Sequence, residues 1–416
     1  MAKPNLALIP AAQGSKLFSV LPSSGVGDFN FSRSGTATRI NSQGLIEEVA
    51  NVQSRLNYPM IDGKVVGCPH HILEPARTNL IQYSEDFTKS VWNNFSSITP
   101  IENSAISPDG TQNASTLECN YNAVFRYSFT ASSSTNYVGS IFVKAKENNN
   151  YFGIQTLESG NAYTSVFDIQ SGVLVTQASN HTSSIKDFGN GWFRCSVKFN
   201  SGSSTSNIFD FRGSQTSDTK EFYAFGAQIE QGSYPTSYIP TNGTTVTRQA
   251  ETANSSGDAA TFNDSEGVLM AEISALNDSQ SSAGITISDS SLSNRVFMGF
   301  ESGEIRALCI NALSTTIIDT SGVILENYNK VACAYEGNTF KLLVNGFQVG
   351  DTESFTGSLS GINELAFDRG DGANPFYGNT KQLQYFQTAL TESELSQLTS
   401  WTSFTDMAEG QLYTIE

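Results

Sequence analysis

Alternation of apolar and polar residues along short runs limits this chain more than any other feature it has. Successive side chains of an extended strand point to opposite faces, so a repeat of two marks a strand buried on one side only. Phe193, Cys195, Val197 and Phe199 fall on one face, and Arg194, Ser196 and Lys198 on the other. Tyr223, Phe225, Ala227 and Ile229 repeat the pattern, as do Gly139, Ile141, Val143 and Ala145. Antiparallel strands stacked as a two-sheet sandwich satisfy it. A second block follows, in which Leu269, Ala271 and Ile273 alternate against Met270 and Glu272, and Phe340, Leu342 and Val344 against Lys341, Leu343 and Asn345. The stretch from Gln249 to Glu266, rich in Ala, Ser, Asn and Asp, breaks the signal and reads as a linker.

The punctuation agrees with an all-β fold. Thirty-four glycines and 11% aromatics, with few long helix formers, describe short strands and many turns. Asn345-Gly346 separates two strand-like runs and predicts a type I′ hairpin, which needs two residues tolerant of positive φ. Thr391 with Glu394 predicts a capping box, so one short helix closes the second sandwich with Leu395 and Leu398 on its inner side. A chain of 416 residues has room for two to three domains of roughly 150 residues each.

Charge removes whole classes of function. The net charge is −17, and only 15% of residues are charged, so the surface is finished largely with Ser, Thr, Asn and Gln. No cluster of Lys and Arg exists to meet phosphates, which argues against nucleic acid and anionic membrane. No run of eighteen apolar residues occurs and the N-terminal apolar stretch is too short for a secretory signal, so no membrane insertion is expected. Five cysteines, Cys68, Cys119, Cys195, Cys309 and Cys333, are odd in number and far apart, unlike a disulfide framework. Cys195 and Cys333, inside strand-like runs, read as small buried apolar residues. Asn-x-Ser/Thr triplets such as Asn113-Ala114-Ser115 are what chance gives in so Asn- and Ser-rich a chain.

Two phrases bracket the first block. One is Glu74-Pro75-Ala76-Arg77-Thr78-Asn79-Leu80 followed by Tyr83-Ser84-Glu85-Asp86-Phe87; the other is Tyr234-Pro235-Thr236-Ser237-Tyr238-Ile239-Pro240-Thr241 followed by Val246-Thr247-Arg248. The pair resembles the module flanks of bacteriophage fibre, spike and appendage proteins. Phe29 to Asn41, Gly44 to Glu47, Arg55 to Tyr58 and Ile72 to Pro75 extend the resemblance upstream. Between the brackets, Phe142-Val143-Lys144, Phe167 to Gly172, Gly189 to Arg194 and Phe225 to Gly232 look like the jelly rolls of these proteins, which are similar to carbohydrate-binding modules. From about Gly267 the pattern resembles concanavalin A-like or laminin-G-like sandwiches.

The resemblance implies a virion surface component, assembled in the bacterial cytoplasm, that contacts other virion proteins and host-surface glycan. Phage fibres are commonly trimers, so a homo-oligomer is implied, although no heptad run marks a coiled coil. The expected organisation is an N-terminal virion-docking region over 1–80, a jelly roll over 81–250 and a concanavalin A-like sandwich over 251–416. For 1–80 a reading as a layer of the neighbouring domain stays open.

Chemistry is sparse. His70, His71 and His181 are the three histidines, and none lies in a catalytic motif. Cys68-Pro69-His70-His71 has two ligand types but no partner pair at zinc spacing, so a loop ahead of Ile72-Leu73 is preferred to a metal site. Glycoside hydrolysis needs facing carboxyl groups, and no acidic run places them on one strand face. Glu301 with Glu304 and Asp368 with Asp371 are the nearest pairs, both in Gly-rich context. The loop from Asp368 to Tyr377 mixes two carboxylates, Arg369, Asn374, Phe376 and Tyr377, groups suited to sugar hydroxyls and ring faces. Asp368, Arg369, Asp371, Asn374 and Tyr377 are therefore the candidate glycan-binding residues, with calcium left open there and no other cofactor called for. Trp192 reads as packing on its sheet rather than as a sugar platform. The expectation is a non-enzymatic adhesin; a tailspike depolymerase and a prophage-encoded surface adhesin are the alternatives.

Overall fold

The structure, a computed structural model, describes residues 3–13, 16–95, 99–120, 124–147, 149–214, 216, 218–277 and 283–401. It is all-β: tandem antiparallel sandwiches, with one helix among the described residues. The C-terminal boundary expected at 416 runs past them.

The first sandwich pairs two six-stranded sheets. One runs Ile101–Ala105, Ala114–Cys119, Lys220–Gln231, Asn136–Ala145, Trp192–Asn200, Thr182–Asp187. The other runs Trp92–Asn94, Phe125–Thr130, Ser206–Arg212, Tyr151–Glu158, Asn161–Asp168, Val173–Thr176. Cys195, Val197 and Phe199 point into the core between them, as their alternation requires, against Phe152, Phe167 and Phe211. The other expected stripe breaks. Gly226 adopts φ +61°, and the register slips opposite Ser140 and Phe142, a β-bulge. An extra residue reverses which side chains face the core. Phe222, Ala224, Ala227 and Ile229 therefore point inward, while Phe225 packs outside with Phe142, Trp192 and Tyr238. Trp192, 2% exposed, lies on this outer sheet face.

The second sandwich sets a five-stranded sheet against an eleven-stranded one. The smaller runs Ser314–Asp319, Glu304–Asn311, Arg295–Glu301, Ala283–Ser288, Glu364–Ala366. The larger draws on both ends of the chain. Strand Leu6–Gln13 pairs on one side with Lys16–Leu21 and on the other with Gly378–Phe386, setting Leu6 opposite Tyr385 and Leu8 opposite Leu383. Phe29–Ser32 and Thr252–Asn254 continue the sheet beyond it, and His70–Leu73 adds to the Gly378 end. The 1–80 segment thus lends five strands, Leu6–Gln13, Lys16–Leu21, Phe29–Ser32, Leu56–Asn57 and His70–Leu73, to the last sandwich, while Ala37–Ile40 with Ile46–Val49 and Met60–Ile61 with Lys64–Val65 form hairpins of their own, and the stretch expected as a linker carries one more. Asn345 and Gly346 both take positive φ, 51° and 92°, at the expected hairpin. Helix Glu392–Ser400 has the complete Thr391/Glu394 capping box and buries Leu395 and Leu398 on the outer face of the large sheet. Cys119, Cys195, Cys309 and Cys333 are buried and Cys68 is exposed, all as free thiols.

A buried ionic network joins the pieces. Arg55 donates to Glu251 through Nε at 2.8 Å and again through Nη2, which also lies 2.9 Å from Glu74. Its Nη1 donates to the Thr38 carbonyl and the Ser237 hydroxyl, each at 2.8 Å. Arg33 reaches Glu251 at 2.7 Å, and Arg248 reaches Glu74 at 2.9 Å and the Pro75 carbonyl at 2.8 Å. Ser237 donates to Glu74 through its N–H at 2.8 Å and its hydroxyl at 2.5 Å. Burial alone would raise the Glu74 carboxyl, but Arg248 and Arg55 beside it bring it down to about 2. Burial likewise works against the Arg55 guanidinium, which Glu251 and Glu74 hold above its ordinary value. The bracketing phrases meet here: Arg77–Asn79 pairs with Val246–Arg248, and the Asn79 amide donates to the Ile239 carbonyl at 2.9 Å.

His70 and His71 sit in a strand and are 4% and 2% exposed. Burial pushes both imidazoles down to about 3, helped for His70 by Lys381 and the neighbouring His71, Lys186 and Arg55. Neither ring nitrogen of His71 has a hydrogen-bond partner.

Three outcomes follow from this packing. Deleting residues 1–21 exposes the Gly378–Phe386 strand and removes Leu6, Leu8 and Leu17, each worth about 1.5–3 kcal/mol when fully buried; the truncated chain should lose cooperative thermal unfolding of the second sandwich, and a soluble truncation with an unchanged melting profile would contradict it. Glu251→Ala leaves two buried guanidinium groups short of a counter-charge and should cost about 3–5 kcal/mol in urea denaturation. Both histidines have depressed folded pKa values, so the stability they permit is complete above the ordinary value near 6.5 and is lost as pH falls from there toward 3. Each removes up to about 1.4 kcal/mol per pH unit across that window. Glu74 adds its own loss only below its ordinary value of 4.5. His71→Phe should flatten the decline between pH 6.5 and 4.5; an unchanged slope rejects the assignment.

Candidate functional site

The loop singled out by sequence splits into two parts. Asp368 is 5% exposed, and its carboxylate accepts the Gly370 N–H at 2.6 Å, which fixes the turn. Burial raises its pKa. Its carbonyl accepts the Thr286 hydroxyl at 2.6 Å, and the Arg369 carbonyl accepts from Arg295 at 3.0 Å, so the loop is tied to the small sheet. The Arg369 guanidinium lies over the Phe297 ring at 5.9 Å. Phe376 is wholly buried against Phe300 and Phe367, both at 5.8 Å between ring centroids. Tyr377 is half-buried, its phenol pushed up by burial and within electrostatic reach of Arg77 and Glu251 at the ionic junction. Asp371 and Asn374 are the exposed members of the candidate set, with Asp371 accepting the Ala373 N–H at 3.0 Å.

Of the other acidic pair, Glu301 lies opposite Glu304 across a hairpin and 3.6 Å from Arg306, which also holds Asp319 at 2.6 Å. No group of three or more His, Cys, Asp or Glu side chains able to hold a metal occurs among the described residues.

A second surface is richer, and sequence reasoning passed over it. It is the outward face of the first sandwich's sheet that contains Tyr151–Glu158. In that strand Phe152 and Ile154 fill the core, so Tyr151, Gly153 and Gln155 face out. In Ser206–Arg212, Phe209 and Phe211 face in, and Asp210 and Arg212 face out. Pairing aligns Arg126, Asp210, Gln155 and Thr164 as one polar row across four strands. The Arg126 guanidinium grips Asp210 with two bonds, 2.8 and 2.7 Å, and that contact raises its pKa. Arg212 donates to the Gln155 amide oxygen, which also accepts the Thr164 hydroxyl at 3.2 Å.

In the next row Gly153 stands between Arg212 and Val166. Lacking a side chain, it leaves a gap of about 270 Å³ walled by Tyr151, Thr164, Val166, Arg212 and Ser214. Tyr151 is 37% exposed and Phe95, under the Arg126 guanidinium, 53%. The cavity thus has an apolar wall, an exposed phenol and a fixed set of donors and acceptors. The available signal was the run Phe209-Asp210-Phe211-Arg212, whose polar members must share one face; an aspartate flanked by two core phenylalanines reads more easily as a strand interruption.

No family model and no curated protein matches the chain. Among solved structures it is similar to the CBM40 module of the Ruminococcus gnavus IT-sialidase bound to α2,3-sialyllactose, at 15% identity and TM-score 0.29 over 34% of this chain and 86% of that one. The NanB sialidase of Streptococcus pneumoniae gives 16% and 0.29 over 33% of this chain and 24% of its own. Domain 4 of AbnA, a GH43 extracellular arabinanase from Geobacillus stearothermophilus solved with arabinotriose, gives 11% and 0.30 over 36% and 73%. At such identities and TM-scores the function of this chain rests on its own residues.

Proposed function

We propose that this chain is a non-enzymatic adhesin of a phage particle that holds host-surface glycan on the outward face of its first sandwich. The observation that carries the binding site is the cavity at Gly153, which lies beside Tyr151 and Val166 for the apolar side of a sugar ring and beside Arg212, Thr164 and Ser214 for its hydroxyls. The Arg126–Asp210 pair stiffens the neighbouring row, so little side-chain freedom is lost on binding. Placement on a virion, contact with other virion proteins and self-association rest on the phage-like bracketing phrases. Glu74, Ser237 and Arg248 of those phrases take part in the ionic junction, which gives the phrases a structural role in seating the module.

The loop of Asp368, Arg369, Asp371, Asn374 and Tyr377 is a second reading, favoured by the exposure of Asp371 and Asn374. It offers no exposed ring at its tip, since Phe376 is core. A depolymerase would need two carboxyl groups facing across a bond, and the two on this sheet face are already engaged: Asp210 is held by Arg126, and Asp168 accepts the Gln170 and Ser171 N–H groups at 2.9 and 3.0 Å.

Gly153→Val fills the gap and Tyr151→Ala removes its exposed ring. Each should weaken attachment to host cells or purified host polysaccharide by about 1–3 kcal/mol, the scale of an anchor contact; Tyr151→Ala should leave the melting temperature unchanged, whereas the new Cβ of Gly153→Val stands 3.3 Å from the Arg212 Cβ and shifts that side chain. The same polysaccharide should release no reducing ends. Attachment that survives both substitutions but is lost with Asp371→Ala and Asn374→Ala would move the site to the loop. Immunogold labelling of intact phage tests the virion placement, and particles that carry none of the protein would refute it.

A further inference from the structure

A different groove lies between the first sandwich and the chain that precedes it. Two adjoining cavities, about 440 and about 260 Å³, share Phe188 and Asn190. The first has a floor of Leu45, Pro108 and Trp192, with Lys144 on its edge. The second is bounded by the hairpin Met60–Ile61 and Lys64–Val65, with Lys64 in its lining.

The walls are fastened to one another before any ligand arrives. The Ile46 N–H donates to the Pro108 carbonyl at 2.9 Å, joining the upstream hairpin to the sandwich. The Trp192 indole N–H donates to the Ile106 carbonyl at 3.0 Å, which fixes the aromatic floor. Gly63 and Gly189 touch backbone to backbone: a Cβ on Gly189 would stand 2.5 Å from the Gly63 carbonyl oxygen. Asn190, at the shared boundary, is held at φ +53° between Gly189 and Gly191, at +78° and +79°. Glycine takes positive φ freely and asparagine tolerates it, so this turn sets Asn190 at the boundary of the two cavities without cost.

Charge decides what the groove would take. Acidic residues outnumber basic ones by 40 to 23 in this chain, yet the lining of both cavities contains Lys64 and Lys144 and no carboxylate. Lysine ion pairs among the described residues use Lys16, Lys89, Lys146, Lys341 and Lys381, leaving Lys64 and Lys144 outside them. The neighbouring Asp187 carboxylate accepts the Gly189 N–H at 2.7 Å and lies outside the lining of both cavities. The half-buried Phe188 ring, with amide and hydroxyl groups around it, suits a sugar ring, and two ammonium groups suit negative charge on it.

From this we infer that the groove bounded by Phe188, Trp192, Asn190, Lys64 and Lys144 binds an anionic saccharide bearing carboxylate groups. It is a separate site from the Gly153 gap and stands or falls independently of it. Binding there reads out the docking of the upstream hairpins on the sandwich, because both contribute walls.

The test titrates the full chain with trigalacturonate by calorimetry, with maltotriose as the neutral trisaccharide and sodium sulfate as the bare anion. Trigalacturonate should bind, more weakly as salt rises. Maltotriose should not displace it. Lys64→Gln with Lys144→Gln should weaken binding about tenfold or more, the loss expected of one charge-assisted contact, at an unchanged melting temperature. Gly153→Val should leave it unaltered. The inference is overturned if trigalacturonate does not bind, if the lysine double variant binds it as well as the parent chain, if Gly153→Val abolishes binding, or if sulfate competes as strongly as the saccharide.

Discussion

Everything in this molecule hangs on Arg55 finding two carboxylates, Glu251 and Glu74, at one buried point. A guanidinium without counter-charge in the interior is among the costliest defects a fold can carry, so this residue admits one arrangement of the segments around it. Glu251 arrives from the stretch between the sandwiches, Glu74 from the entry to the first, and Arg33 and Arg248 complete the charges from either side. A network of this kind adds little net stability over apolar packing of equal volume; its effect is to make misdocked arrangements costly. The register of the two bracketing strands, and so the seat of the first sandwich on the large sheet, follows from it.

Local pattern made the class of fold legible, and distance hid the rest. Cys195, Val197 and Phe199 announced a core face because a strand needs only its own sequence to show periodicity. Tyr223 and Phe225 misled because one glycine, Gly226, bulges and shifts every later side chain to the other face. The strand at Leu6 was readable as apolar, but its partner at Leu383 lies at the far end of the chain, and no local signal names a partner. Thr252–Asn254 looked like a linker because its composition is small and polar; it forms an edge strand because Phe31 and Ser32 offer an unpaired backbone beside it.

The binding surfaces show the same division. The Asp368–Tyr377 loop was conspicuous because its chemistry is contiguous in sequence, yet the fold sends Phe376 to the core and Asp368 into its own turn. Arg126, Asp210, Gln155 and Thr164 come from four strands and become a row only through pairing. Their side chains are fixed by one another and carried on strands, which holds them in place more firmly than a loop would.

The placement of Leu6–Gln13 beside Gly378–Phe386 also sets an order of events during synthesis. Leu6–Gln13 is made about 370 residues before this neighbour. Until that neighbour emerges, the leading segment carries an open hydrogen-bonding edge and exposed leucines, a state prone to pairing with other chains. The first sandwich has all its strands by Gln231 and can close while the remainder is still being translated. It matures as a finished cassette inside a body that is sealed only when Gly378–Phe386 arrives.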